Sequence, residues 1–234
     1  FACEMKVGYD DSLPGPVLDI TPGTVMALRG KIDRLDVMEY PDRVYVRVAD
    51  YKTGPKSFSL AQVLRGRNVQ LLLYLFSVCF SPDCAVRRKI SPDGRPLAPA
   101  GALYFSAAAD GALSDTPVEE AQAASLAEDS LERRGIVLSD MSVIRAMDKD
   151  ISGKYAPAKL KKDGTLAKTS SVATDKEFVE ISEKLNSVLA QEGRRIVSGE
   201  ACSRPSPYGS HDPCVNCSMR PVCRHSKGGG YNNG

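Results

Sequence analysis

The sequence lacks a strong excess of either charge: 31 lysines and arginines are balanced by 29 aspartates and glutamates, for a formal net charge of +2. No global basic signature indicates a nucleic-acid partner, so any such binding must come from a local groove. No apolar run approaches the ~20 residues of a membrane span, and no charged-then-apolar signal sequence opens the chain. A phosphate-binding glycine loop is also absent, so ATP hydrolysis would have to come from a partner or a missing segment.

The length of 234 residues is enough to bury a sizeable core as one domain with elaborations. The first residue is Phe1 rather than methionine, and we interpret the chain as a fragment of a larger protein.

The first part of the chain contains three short blocks rich in chemically useful residues, namely GKIDRLD (30–36), VADYKTG (48–54) and QLLLY (70–74). Before the second block, valines alternate with other residues from position 44 to 48, which is the period-two pattern of a strand. The same phase continues into Asp50 and Lys52, so we expect these two side chains to point to one side of the sheet.

A run rich in β-formers also covers residues 25–37, and the turn-like Tyr40-Pro41-Asp42-Arg43 separates it from the valine strand. These features predict an antiparallel pair that brings Asp33 onto the strand beside Asp50, in a register that the sequence does not fix. Gly30 at the start of the run is typical of a β-bulge.

The third block lies in an apolar run, residues 68–80, that predicts a helix packed on the sheet, after a capping-box pattern at Ser59 to Gln62. Gln70 and Tyr74 are four residues apart and therefore share one face of that helix.

Together these residues suit metal-dependent cleavage of a phosphodiester. Two aspartates, Asp33 and Asp50, hold a hard Mg²⁺ or Mn²⁺ through oxygen and leave positions open for water and phosphate. Lys52 orients the attacking water or stabilises developing negative charge. Gln70 and Tyr74 are candidates to hydrogen-bond the lysine, a metal water or the DNA backbone. An isolated Asp-x-Lys on a strand is usually a solvated edge, but the three blocks in this order favour the catalytic interpretation.

The pattern GxIDRxD, DYKTG and QxxxY resembles the RecB-like branch of the PD-(D/E)xK nucleases, and within it the C-terminal nuclease domains of the AddB family. The resemblance implies an α/β, restriction-endonuclease-like core with a mixed central sheet flanked by helices, helical elaborations and a C-terminal cysteine cluster. It implies Asp33, Asp50 and the backbone carbonyl of Tyr51 as metal ligands, Lys52 as the catalytic lysine, and Gln70 with Tyr74 as the helix motif.

We expect a single nuclease domain fragment over residues 1–234, with the catalytic core at 1–110, a helical and loop elaboration at 111–200, the cysteine segment at 201–225 and a flexible tail at 226–234. The core should contain a loop at 81–101 and a buried strand at 102–106. Beyond it the pattern predicts helices at 117–134 and 174–197, and a shorter one capped by Asp140. In the helix at 174–197, the helical spacing of Phe178, Ile181, Leu185 and Leu189 predicts a face packed in the core. The lysine-rich stretch 148–171 is either an exposed loop or a strip that follows a DNA backbone.

Three cysteines near the C-terminus, Cys214, Cys217 and Cys223, form a CxxCxxxxxC pattern whose spacing favours a metal or iron–sulfur site. The resemblance implies a [4Fe–4S] cluster completed by a fourth cysteine far upstream, so we expect the cluster to be incomplete or absent in this fragment. Cys202, His211, His225 and Cys3 are alternative fourth ligands.

The sequence therefore predicts a Mg²⁺- or Mn²⁺-dependent DNA nuclease. The resemblance implies that it cuts single-stranded DNA delivered by a helicase in double-strand-break repair, with an AddA-type helicase–nuclease subunit as partner, no membrane, and the bacterial cytoplasm as its location. The alternatives are a stand-alone RecB-like or CRISPR-associated exonuclease, and a catalytically silent DNA-binding module held by a metal cluster.

Overall fold

A computed structural model describes residues 2–9, 13–54, 56–81, 84–106, 132–200, 212–215 and 217–220. The chain divides into two compact units, Phe1–Glu192 and Gly193–Gly234. Among the described residues, no helix is both long and apolar enough to cross a membrane.

Within the described residues, the strands are β1 (Ala2–Val7), β2 (Val17–Thr21), β3 (Thr24–Ala27), β4 (Gly30–Glu39), β5 (Val44–Lys52), β6 (Leu97–Ser106), β7 (Arg134–Leu138) and β8 (Val172–Ala173). The helices described there are α1 (Leu60–Val63), α2 (Gln70–Cys79), α3 (Cys84–Ile90), α4 (Met141–Met147) and α5 (Asp175–Val197). The described strands of the larger unit form a mixed six-stranded sheet in the order β1-β4-β5-β6-β7-β8 and a separate two-stranded sheet of β2 and β3.

The direction of the strands brings several chain segments to one edge of the sheet. β4 and β5 are antiparallel, as predicted, while β5 and β6 are parallel and joined by the crossover that contains α1, α2 and α3. β7 is antiparallel to β6. The starts of β4 and β7 and the ends of β5 and β6 therefore lie at the same edge, which is where the candidate catalytic residues are found.

Helix α2 packs on one face of the sheet, against β5 and β6. The helix predicted from the apolar run is therefore confirmed. Leu71, Leu72 and Leu75 are fully buried in the main core, together with the valines of β5. The capping box predicted before it is wrong: Ser59 is the N-cap of the short α1 but makes no capping hydrogen bond through its side chain.

One other prediction of secondary structure is wrong, and another is tested only at its last residues. The stretch expected to be a loop contains α3, and β6 already begins at Leu97, because its alanine-rich segment is buried against neighbouring strands. The predicted helix at 117–134 lies outside the described residues as far as 131, and its last residue, Arg134, instead begins β7. The residues that follow, Ile136 and Val137, pair with β6 and are buried.

The C-terminal helices follow the sequence patterns closely. Asp140 caps α4 by accepting hydrogen bonds from the Ser142 and Val143 amides, at 2.8 and 3.2 Å. The bond from the Ser142 hydroxyl is the main cause that lowers the pKa of the Asp140 carboxyl. In α5, Phe178 and Leu185 are buried at the spacing that predicted them to be core residues.

Candidate active site

Asp50 is a buried carboxylate near the end of β5, on the face of the sheet that α2 covers. It is 3% exposed, and its Oδ2 atom accepts no hydrogen bond from the part of the chain that the structure describes. The Nζ atom of Lys52 lies 2.6 Å from this oxygen, close enough for an ion pair but outside hydrogen-bond geometry. The period-two prediction that Asp50 and Lys52 share a side is therefore confirmed.

Asp33 lies on the neighbouring strand at the matching position. Arg34 pairs with Ala49 in the antiparallel register, so one step further places Asp33 beside Asp50. The Asp33 Oδ2 atom accepts a hydrogen bond of 3.0 Å from the Tyr51 amide, which fixes the carboxylate against the end of β5. Both aspartates are thus held at one edge by backbone geometry rather than by flexible loops.

These residues fit a hard divalent cation. Burying a carboxylate oxygen without a hydrogen bond costs free energy of folding unless a cation lies beside it. Lys52 supplies one positive charge next to this oxygen. No group of three or more histidine, cysteine, aspartate or glutamate side chains is arranged to hold a metal within the described ranges. Asp33 and Asp50 would therefore hold a cation with help from water, phosphate or a backbone carbonyl, which is typical of Mg²⁺.

Tyr104 is a residue of this site that sequence reasoning missed. It lies directly opposite Asp50 in the parallel register of β5 and β6, and the Nζ atoms of Lys52 and Lys56 lie 5.9 and 5.7 Å from its ring centroid. Burial, and secondly the charge of Asp50, raises the pKa of Tyr104 to about 12. The ring thus stays neutral at physiological pH and supports both lysines. The sequence does not reveal this register, because β5 ends at Lys52 and β6 begins only at Leu97, after a long crossover connection.

Gln70 and Tyr74 lie on one face of α2, as predicted, but their described contacts are with each other and with β4. The Tyr74 hydroxyl accepts hydrogen bonds from the Lys31 amide at 3.1 Å and from the Gln70 side chain at 3.3 Å. Through these bonds the helix motif holds the start of β4, two residues before Asp33. A direct role in catalysis stays a prediction for both residues.

Gly30 serves this contact and does not form the bulge that the sequence suggested. It pairs regularly with Val7 of β1. A Cβ atom at this position would collide with the Tyr74 hydroxyl and lie 2.8 Å from the Cε1 and Cζ atoms of the same ring. Glycine is required here because the tyrosine packs directly against the backbone.

Replacing Gly30 with alanine is expected to destabilise the fold by about 1–3 kcal/mol through overpacking. Tyr74→Phe alone should cost about 1 kcal/mol through its lost hydrogen bonds. The double variant should be less destabilised than the sum of the two, because phenylalanine lacks the hydroxyl that the new methyl group meets. Urea unfolding measures the stability of all three variants. Gly54→Ala is the control, because a Cβ there would meet no described atom within 4 Å beyond its own residue and its chain neighbours. Strict additivity would contradict the proposed contact.

The three cysteines of the CxxCxxxxxC pattern belong to the smaller unit, and the structure describes two of them. Cys214 and Cys217 lie in a turn in which the Cys217 amide bonds the Cys214 carbonyl at 3.4 Å, and Asp212 accepts from the Cys214 amide at 3.0 Å. Cys223, Cys202, His211 and His225 are outside the described residues. The iron–sulfur cluster therefore stays a prediction.

A mixed sheet flanked by helices, with two carboxylates and a lysine at the ends of adjacent strands, defines a restriction-endonuclease-like α/β protein. Residues 1–224 match the model of the PD-(D/E)XK nuclease superfamily, and the chain belongs to that family.

Among curated proteins, the chain is similar to several that are named as subunits of an ATP-dependent helicase/deoxyribonuclease. It is 34% identical to the one from Desulforudis audaxviator over 224 residues, 37% to that of Symbiobacterium thermophilum over 225, and 31% to that of Acetivibrio thermocellus over 230. Each match covers 95% of this chain but 19% of the relative. The chain thus spans about a fifth of the length of these relatives.

Proposed function

We propose that this chain hydrolyses phosphodiester bonds of single-stranded DNA with a Mg²⁺ or Mn²⁺ ion held by Asp33 and Asp50. The observation that carries the proposal is the buried Asp50 oxygen that accepts no hydrogen bond, beside a lysine and next to a second aspartate. When bound, such an ion activates water as a nucleophile and offsets charge on the phosphoryl oxygens.

The side chains around the ion have separate roles in this proposal. Lys52 presents a compact cation that orients the attacking water and stabilises charge that develops on the phosphate. The hydrogen bond from the Tyr51 amide keeps Asp33 in place, and the backbone carbonyl of Tyr51 is proposed as a further ligand. Tyr104 supports Lys52 from the neighbouring strand, and Gln70 with Tyr74 positions the start of β4.

The relatives suggest where such a nuclease acts. Because they are named as subunits of an ATP-dependent helicase and deoxyribonuclease, we propose that the chain is the nuclease portion of a similar complex with an AddA-type partner. Its substrate would be a single strand released by the helicase during DNA repair in the bacterial cytoplasm. The [4Fe–4S] cluster proposed for Cys214, Cys217 and Cys223 would then need a ligand from elsewhere in the full-length protein.

The test is cleavage of end-labelled single-stranded DNA by this chain with Mg²⁺, with Mn²⁺ or with a chelator. Cutting is expected with either ion and none with the chelator. In parallel, an ion at ~100 times its dissociation constant should stabilise the fold by about 2.7 kcal/mol, or raise the unfolding temperature by about 5–10 °C.

The two measurements separate the alternatives. A thermal shift without cutting, in a folded protein, would favour the catalytically silent module over the nuclease. Cutting that persists in the chelator would contradict the role given to Asp33 and Asp50. Processive degradation of linear DNA by the isolated chain would favour a stand-alone exonuclease over a helicase-dependent one.

A further inference from the structure

A basic cleft lies at the edge of the sheet that carries the candidate active site. It has a volume of about 390 Å³, and its lining includes Arg133 and Arg134 at the start of β7, Lys159 and Ser170 of the 157–171 hairpin, and Ser57 after β5. Three of these residues are cationic and two carry a hydroxyl group, and the acidic Glu132 also lines the cleft. This lining suits an anion rather than an apolar ligand.

The register of the sheet places this cleft beside the catalytic residues. Asp50 pairs with Tyr104, and Tyr104 pairs with Arg134, so the three residues form one row across β5, β6 and β7. Since neighbouring strands lie about 4.8 Å apart, the Cα atoms of Arg134 and Asp50 are about 10 Å apart. The loop that leaves β5 links the two places, because Lys56 lies over the Tyr104 ring and the next residue, Ser57, lines the cleft.

The walls of the cleft are held in place by backbone hydrogen bonds. The Arg133 amide bonds the Lys154 carbonyl at 2.8 Å, the Val137 amide of β7 bonds the Ser171 carbonyl at 3.1 Å, and the Lys159 amide bonds the Ser170 hydroxyl at 3.0 Å. The hairpin is therefore fixed against β7, and basic residues of both segments line the same cleft.

Positive charge in the cleft is only partly neutralised. Glu132 lies 3.3 Å from Arg134, but Arg133 and Lys159 form no ion pair with any described carboxylate. The Arg133 guanidinium is instead held over the rings of Phe105 and Tyr155, at 4.1 and 5.3 Å from their centroids. Burial, and secondly repulsion by Arg47 and Arg34, lowers the pKa of Arg133.

We infer that this cleft binds backbone phosphates of the DNA strand whose neighbouring phosphodiester lies at Asp33 and Asp50, with Arg134 and Lys159 as the phosphate contacts. The inference rests on the proposed function and extends it with a strand path from the metal site across Tyr104 into the cleft. The inference also assigns different roles to two lysines of the hairpin. Lys159 lines the cleft, whereas Lys162 is exposed at the hairpin tip outside it.

The experiment is binding of fluorescein-labelled oligo-dT, followed by anisotropy in a chelator so that binding is separated from cutting. Arg134→Gln and Lys159→Met should each weaken binding on the order of 3- to 10-fold at moderate salt, for oligo-dT and mixed-sequence strands alike. The double variant should lower the slope of log affinity against log salt by about 1.4, since each phosphate contact on a single strand contributes about 0.7.

The matched control is Lys162→Met, which removes the same charge from the same hairpin and should change affinity by less than about 2-fold because a solvated charge outside the cleft is screened. An equal loss for Lys162→Met and Lys159→Met would overturn the inference in favour of general attraction. Unchanged affinity in the double variant, with circular dichroism showing a native fold, would also overturn it.

The outcome is independent of whether the proposed nuclease activity is found. The predicted binding pattern in a chain that never cuts DNA would support the cleft and contradict the nuclease. Metal-dependent cutting, with DNA affinity unchanged in the cleft variants, would support the nuclease and contradict the cleft.

Discussion

Replacing Asp50 with asparagine is expected to abolish metal-dependent cleavage, with a loss of about 10³-fold or more, because the several kcal/mol that a bound cation contributes to the transition state are removed. Asparagine keeps the shape of the side chain but carries no charge for the ion. The stabilisation of the fold by Mg²⁺ should disappear in the same variant. End-labelled DNA cleavage and thermal unfolding with and without the ion measure the two effects.

The Asp50→Asn protein should remain folded without metal. The substitution removes a buried carboxylate whose Oδ2 atom accepts no hydrogen bond, and Lys52, with 31% of its side chain exposed, still reaches water. Asp42→Asn is the matched control, because Asp42 lies in the turn between β4 and β5, at the opposite end of the same strands. Wild-type cleavage by Asp50→Asn, or an equal loss in Asp42→Asn, would contradict the assignment of Asp50 as a metal ligand.

Replacing Lys52 with methionine is expected to lower cleavage about 10²- to 10³-fold, the usual loss when one preorganised group that stabilises transition-state charge is removed. Methionine keeps an unbranched apolar side chain and removes the cation. Binding of Mg²⁺ should persist or become tighter, because a positive charge 2.6 Å from the Asp50 oxygen is lost. The variant therefore separates loss of chemistry from loss of metal, which Asp50→Asn combines.

Lys56→Met provides the control for the contact with the tyrosine ring. Lys56 lies over Tyr104 at nearly the same distance as Lys52, but its Nζ atom bonds the Asn68 side chain at 2.7 Å rather than Asp50. A much smaller loss of cleavage is expected from Lys56→Met than from Lys52→Met. Equal losses in the two variants would mean that the two charges near Tyr104 act alike and that Lys52 has no specific role.

The spacing of residues within single elements was readable from the sequence alone. Alternation along β5 placed Asp50 and Lys52 on one side, and the four-residue spacing in α2 placed Gln70 and Tyr74 on one face. Asp140 as the cap of α4 and Phe178 as a core residue of α5 followed from similarly local rules. The side to which a residue points depends on local backbone geometry, so a short stretch of sequence is enough to determine it.

The partners that these residues meet were decided only by the tertiary structure. The parallel pairing that brings Tyr104 opposite Asp50, the contact of Tyr74 with Gly30, and the row that continues to Arg134 all join segments far apart in the chain. A register is fixed by burial across whole strands and by how long connections close, and neither is written in a local pattern. The sequence by itself therefore determined which residues carry the candidate chemistry, whereas the packing of distant segments determined how the site is supported and where the DNA strand is proposed to run.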